Sequence, residues 1–144
     1  MNAWREACIA LCVDAGAAIL EVYAQDFDVA SKDDQSPLTQ ADLASHRIIA
    51  AGLRALAPEV PLLSEEGAAA PWSERRNWGR YWLVDPLDGT REFVKKNGEF
   101  TVNIALICGG VATRGVVYAP AIGRLFYTLA DGRTVEETGA HAAD

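Results

Sequence analysis

Much that would announce a function class is absent from this 144-residue sequence. No apolar run approaches the roughly 20 residues that a membrane-spanning helix needs. The opening residues, Met1-Asn2-Ala3-Trp4-Arg5-Glu6, lack the basic start and apolar core of a secretory signal. The expectation is therefore a cytoplasmic protein without a transmembrane segment. Basic residues are in deficit, 13 Lys and Arg against 20 Asp and Glu, for a net charge of −7. That argues against holding nucleic acid or an anionic membrane on a basic surface. An anionic substrate stays open, because bound cations reverse a local field. Cysteine is sparse and odd in number: Cys8, Cys12 and Cys108. The first two are four apart on one helix face, so a metal pair is conceivable, but small buried thiols are the ordinary reading. His46 and His141 have no neighbour that would build a ligand cluster. There is no internal repeat and no low-complexity linker.

What remains is ordinary globular composition, 50% hydrophobic and 23% charged, in a length sufficient for one domain with a real core. Apolar residues Trp4, Cys8, Leu11, Cys12, Ala15, Ile19, Val22 and Tyr23 recur at helical spacing from Asn2 to Tyr23. Gln25 to Pro37 is polar and reads as a loop, with a short strand expected at Phe27 to Ala30. A second helix is expected from near Thr39, with Asp42 three residues on as a variant capping box. It carries Leu43, Ile49, Leu53 and Leu56 and stops before Pro58. Val60 to Ser64 reads as a short strand and Ala68 to Gly79 as a loop. Strands follow at Phe100–Cys108, Val111–Ala119 and Arg124–Leu129. Gly109-Gly110 is a two-residue hairpin signal, Pro120 to Gly123 is a second turn, and Asp131-Gly132 leads into a strand at Thr134. Two helices followed by an antiparallel meander predict a layered α+β domain.

The chemistry is concentrated in Asp85-Pro86-Leu87-Asp88-Gly89-Thr90. The apolar run Tyr81-Trp82-Leu83-Val84 reads as a strand that delivers two carboxylates, a glycine and a hydroxyl into one tight turn. Such acids are costly together unless a cation holds them, and Mg²⁺ accepts a few carboxylate oxygens with water and phosphate. Glu65 ends another expected strand. If the two strands are neighbours, Glu65, Asp85 and Asp88 converge at one sheet edge, as in a two-metal hydrolytic site. The competing reading makes both aspartates simple turn-formers. Thr90 to Val94 can form a helical turn whose amides would meet phosphate. Asp42 is either a helix cap or part of the site, and Lys95-Lys96 either steers an anion or is a solvated charge pair. Trp72, Trp78 and Trp82 read as packing residues.

Three ordered motifs, Pro37-Leu38-Thr39-Gln40-Ala41-Asp42, Ser64-Glu65-Glu66 and Asp85-Pro86-Leu87-Asp88-Gly89-Thr90, resemble those of the inositol monophosphatase superfamily. Those proteins are Mg²⁺-dependent, lithium-sensitive phosphomonoesterases. The continuation from Gly89-Thr90-Arg91-Glu92-Phe93 to Thr101-Val102-Asn103-Ile104 is similar to the CysQ branch, the 3'(2'),5'-bisphosphate nucleotidases. These convert adenosine 3',5'-bisphosphate, a small nucleotide bisphosphate, to AMP and phosphate. The resemblance implies metal ligation by Glu65, Asp85, the Leu87 carbonyl and Asp88, with two or three Mg²⁺ per complete site. It implies substrate contacts from Glu65, Leu87, Asp88, Gly89 and Thr90. Catalysis would fall to Thr90 paired with Asp42, assisted by Glu65, in activating the attacking water. Peripheral association with the inner membrane is also implied.

Members of that superfamily are longer. Their second half supplies a further metal-binding Asp in a Trp-Asp motif that has no counterpart after Asp88. The expectation is an N-terminal half of a sugar-phosphatase-like fold, residues 1–144, without the C-terminal domain and with impaired turnover. The alternatives are an inositol or sugar phosphate phosphatase, and a non-catalytic interaction module prone to self-association through an open sheet edge.

Overall fold

Helical spacing of apolar residues at the start of the chain produces α1 (Asn2–Tyr23), over the predicted range. Cys8, Cys12, Ala15, Ile19 and Val22 form its buried stripe. The computed structural model describes residues 2–25, 36–67 and 70–138. The expected strand at Phe27 to Ala30 and His141 lie outside them. The second helix, α2 (Pro37–Leu56), begins earlier than the capping-box pattern suggests. Its cap is Ser36, whose hydroxyl oxygen accepts from the Thr39 amide at 3.0 Å. Pro37 suits the first turn, where no amide proton is needed. Asp42 is thus not the cap residue. It lies in the second turn and is buried, on the face shared with Ala41, Ser45, Ile49 and Leu53.

Among the described residues six strands form one sheet in sequence order: β1 (Leu62–Ser64), β2 (Arg80–Asp88), β3 (Thr101–Cys108), β4 (Val111–Ala119), β5 (Arg124–Thr128) and β6 (Thr134–Thr138). From β2 onward the sheet is the expected antiparallel meander. At its edge β1 pairs parallel to β2, so the sheet is mixed. The Gly109-Gly110 hairpin is as predicted, with φ of 57° and 80°, values at which a two-residue turn matches strand twist. Two short helices complete the order, α3 (Trp72–Arg75) and α4 (Thr90–Lys95). The first falls in the segment read as loop, and its Trp72 is 66% exposed, so it is not a packing residue.

Helices α1 and α2 lie together on one sheet face, α1 against β3, β4 and β5, and α2 against β1 and β2. The core between them contains Cys12, Ile19, Ile49 and Leu53 from the helices and Trp82, Val84, Ile104 and Tyr118 from the strands. Burial makes Cys8 and Cys12 inert packing residues, the Cys8 thiol being pushed up to about 12. Strand alternation puts Leu83 and Val117 on the other face, where both are exposed. Tyr23, Phe93 and Phe100 form a three-ring cluster with centroids 4.9–5.4 Å apart, anchoring α4 and the start of β3 to the end of α1. Lys96 adds a tie, its Nζ donating to the Gln25 carbonyl at 2.6 Å. It is therefore not a bare solvated charge. Among the described residues no helix is long and apolar enough to cross a membrane.

Candidate active site

The parallel pairing of β1 with β2 aligns Ser64 with Val84. The next residues along the two chains are Glu65 and Asp85. Strands that run the same way end at the same side, so both carboxylates arrive at one rim, on neighbouring chains about 5 Å apart. An antiparallel β1 would have put them at opposite ends.

The segment after Asp85 is not the tight turn its composition suggests but the bulged end of β2. Asp85 pairs with Asn103 and Asp88 with Thr101, so three steps on β2 match two on β3. One extra residue bends the strand locally. Pro86, which has no ladder amide to give, fits such a bulge. Its carbonyl accepts from the Ser45 hydroxyl at 2.8 Å in the interior, tying α2 to the bulge. Pro86 and Leu87 are buried, Asp85 is half-buried and Asp88 is exposed. Buried anchors thus alternate with acids turned toward the rim.

Asp85 accepts from the Leu87 amide at 3.3 Å, and Asp88 accepts from the Asn103 side-chain amide at 3.3 Å. Gly89 follows with φ +90°, ψ 48°. A Cβ there would meet the Glu99 carbonyl oxygen at 3.1 Å and the Phe100 Cα at 3.3 Å, so both the conformation and the space favour glycine. Thr90 opens α4 and is exposed.

Burial raises the Asp85 carboxyl from its ordinary 3.8 to about 6, followed by repulsion from Glu65 and Asp88, with the Leu87 amide opposing and Glu66 adding to the rise. Glu65 itself is exposed. The turn that carries it is held by Ser64, whose Oγ lies 3.0 Å from His46 Nδ1 and accepts from the Glu66 amide at 3.3 Å. His46 therefore has a partner that the sequence reading did not give it. Burial, and after it Arg54, lower its pKa, Glu66 partly offsetting them and Arg47 reinforcing them.

Glu65, Asp85, Leu87, Asp88, Gly89 and Thr90 come together on the rim formed by the β1 end, the β2 bulge and the start of α4. Asp42 sits inside α2, the helix that packs against β2 and α4. Ser45, His46, Ser64 and Asn103 support this rim and were missed as positioning residues. Ser45 left a signal three residues beyond Asp42 on the same helix face, and Ser64 and Asn103 stand inside the quoted motifs. The donor set is all oxygen and mutually repelling, which suits a hard divalent cation. Among the described residues no three such side chains stand as a closed ligand set. The rim fits a cation by the chemistry of its donors.

The family model described as the inositol monophosphatase family matches residues 1–141. The 3'(2'),5'-bisphosphate nucleotidase CysQ of Shigella flexneri is 54% identical over 129 residues, covering 88% of this chain and 52% of that protein. The protein of the same name from Buchnera aphidicola is 45% identical over 141 residues, covering 94% and 53%. The crystal structure of CysQ from Bacteroides thetaiotaomicron superposes with a TM-score of 0.87 at 39% identity, covering 99% of this chain and 51% of that one. The chain thus spans about half the length of the curated relatives it matches. Motif order, rim geometry and these matches agree: the chain belongs to the inositol monophosphatase family.

Proposed function

We propose that this chain carries the metal- and phosphate-binding part of a Mg²⁺-dependent 3'(2'),5'-bisphosphate nucleotidase, which removes the 3'-phosphate of adenosine 3',5'-bisphosphate to leave AMP and phosphate. The observation that carries the reading is the delivery of Glu65 and Asp85 to one rim by parallel neighbouring strands, with Asp88 one bulge further on. The nucleotide is favoured over an inositol phosphate by the similarity to proteins named CysQ.

In this reading Glu65, Asp85, the Leu87 carbonyl and Asp88 would hold Mg²⁺. Bound Mg²⁺ would neutralise phosphoryl oxygens and make water easier to deprotonate. The chain does the rest. Gly89 lets the backbone turn left-handed from Asp88 into Thr90 against Glu99 and Phe100, and Asn103 keeps the Asp88 carboxylate aimed at the rim. The Thr90 hydroxyl would orient the attacking water in line and accept its proton while passing its own to the Asp42 carboxylate, with Glu65 assisting. Burial of Asp42 inside α2 would fix that pair without help from solvent.

The test is calorimetry and phosphate release with the purified chain, adenosine 3',5'-bisphosphate and inositol 1-phosphate, with and without Mg²⁺. The reading expects Mg²⁺-dependent binding of the nucleotide in preference to the inositol phosphate, weakened at least about tenfold by Asp88→Asn, the loss of one charged ligand contact. Preference for inositol 1-phosphate, or binding indifferent to Mg²⁺ and to Asp88, contradicts it.

A further inference from the structure

Two consecutive residues of α2 reach the two chains that carry the acids. The Ser45 hydroxyl, fully buried, donates to the Pro86 carbonyl of the β2 bulge at 2.8 Å. His46 Nδ1 lies 3.0 Å from the Ser64 hydroxyl at the end of β1. Successive residues point about 100° apart around a helix, and paired strands lie about 5 Å apart. One turn of α2 therefore holds both chain ends at once.

Each tie ends on an acid. The Pro86 carbonyl and the Leu87 amide belong to one planar peptide and point opposite ways. Ser45 holds the carbonyl inward, which turns the amide out to the Asp85 carboxylate at 3.3 Å. On the other chain Ser64 Oγ accepts from the Glu66 amide at 3.3 Å, and the Ser64 carbonyl accepts from the Gly67 amide at 3.2 Å. Glu65 is the second residue of the turn that these bonds close. With its oxygen taken by Glu66, the Ser64 hydroxyl has one proton to give, and among the described residues its acceptor is His46 Nδ1. The ring proton is then on Nε2. A Cβ at Gly67 would stand 3.3 Å from His46 Cε1, so the ring also backs the turn.

Glu65 opposes ionisation of Asp85, so the gap between them has to be set from outside the pair. We infer that Ser45 and His46 are positioning residues that clamp the two acid-bearing chains and set the Glu65–Asp85 gap at which a divalent cation binds. The inference rests on the cation reading of the rim, and adds to it two residues that supply no ligand.

The experiment is calorimetric titration of the purified chain with MgCl₂ at pH 7.5, for the parent, Ser45→Ala, His46→Leu and His46→Asn, with urea unfolding of each. Ser45→Ala and His46→Leu should each weaken Mg²⁺ by about tenfold, the low end of what losing the support of a metal ligand costs. His46→Asn should stay within about twofold of the parent, because its side-chain oxygen can take the Ser64 proton in place of Nδ1. A long-range ¹H–¹⁵N spectrum of the parent, with or without Mg²⁺, should show His46 protonated on Nε2 alone. A purely structural role would lower the urea midpoint and leave the Mg²⁺ affinity of the folded chain unchanged, which overturns the clamp. So would His46→Asn as weak as His46→Leu, or a His46 ring protonated on Nδ1. His46 is only half-buried, so its variants decide the matter even if Ser45→Ala fails to fold. A parent indifferent to Mg²⁺ is a different failure, one that removes the cation reading and the inference with it.

Discussion

The two ends of β2 differ in how their charges are compensated: cations at the start are ion-paired, Arg80 with Glu59 and Arg5 with Glu6, whereas the acids at the end face one another. At its start Arg80 lies over the Trp4 ring, and Arg5 and Arg114 line a small pocket beside Trp82. At its end Asp85 and Asp88 meet Glu65 from the neighbouring strand. Val84, between the two ends, is 1% exposed. Total charge, −7 here, says little about what any one site attracts. The two ends also differ in how they are paid for. Donors at the start are housed in apolar packing, whereas the acids at the end repel one another and rely on buried anchors, Pro86, Leu87 and the Tyr23–Phe93–Phe100 cluster, to stay in place.

Removing those anchors should break the comparison most severely. Phe100 is fully buried beneath Gly89 and in contact with Phe93 and Tyr23. Phe100→Ala should cost about 3–5 kcal/mol in urea unfolding, enough to leave a marginal domain largely unfolded. A loss below 1 kcal/mol would show that the rim does not rest on this cluster. Gly89→Ala forces a side chain into a left-handed conformation against the Glu99 carbonyl, and should cost about 1–3 kcal/mol. Phosphate affinity should fall with it, because relieving that clash shifts the backbone that carries Asp88 and Thr90, while the Trp82 end stays as it is. A stable Gly89→Ala chain with unchanged phosphate binding would remove Gly89 from the site.

The smallest effect has the opposite sign. Folding raises the Asp85 carboxyl from 3.8 to about 6. Its contribution to stability is therefore fully present below about pH 4 and is lost as pH rises through about 6. In magnesium-free buffer Asp85→Asn should be more stable than the parent at pH 7.5, with the advantage vanishing near pH 4. Thermal melts at the two pH values check this, and a variant less stable at pH 7.5 would mean that Asp85 is stabilised by its neighbours rather than opposed by them.

The parts of this arrangement that were legible in the sequence are those fixed locally. Paired glycines dictate a hairpin by their own backbone freedom, so the boundaries of β4 emerged residue for residue. The spacing of Asp85, Asp88, Gly89 and Thr90 likewise pointed to the rim. What stayed hidden depends on partners distant in the chain. The direction of a three-residue β1 is set by the connection through α3, not by its own residues. The bulge at Pro86 exists because β3 pairs on either side of it, and Ser45 matters only because the carbonyl it meets is 41 residues away. Ser36 could have been read as the cap from the Ser-Pro pair, but the Thr39 to Asp42 spacing offered a competing start. The donors around Trp82 come from α1, β2 and β4, and no motif joins them.

The central claim is that the acids at the end of β2 form a cation site held together against their own repulsion. The most direct measurement is the melting temperature of the chain against Mg²⁺ concentration at pH 7.5, for the parent and for Asp85→Asn. The account predicts that the parent starts lower and climbs with Mg²⁺, as a ligand of the folded state requires, while the variant starts higher and stays flat. A parent that ignores Mg²⁺, or a variant that climbs in parallel with it, would contradict the account.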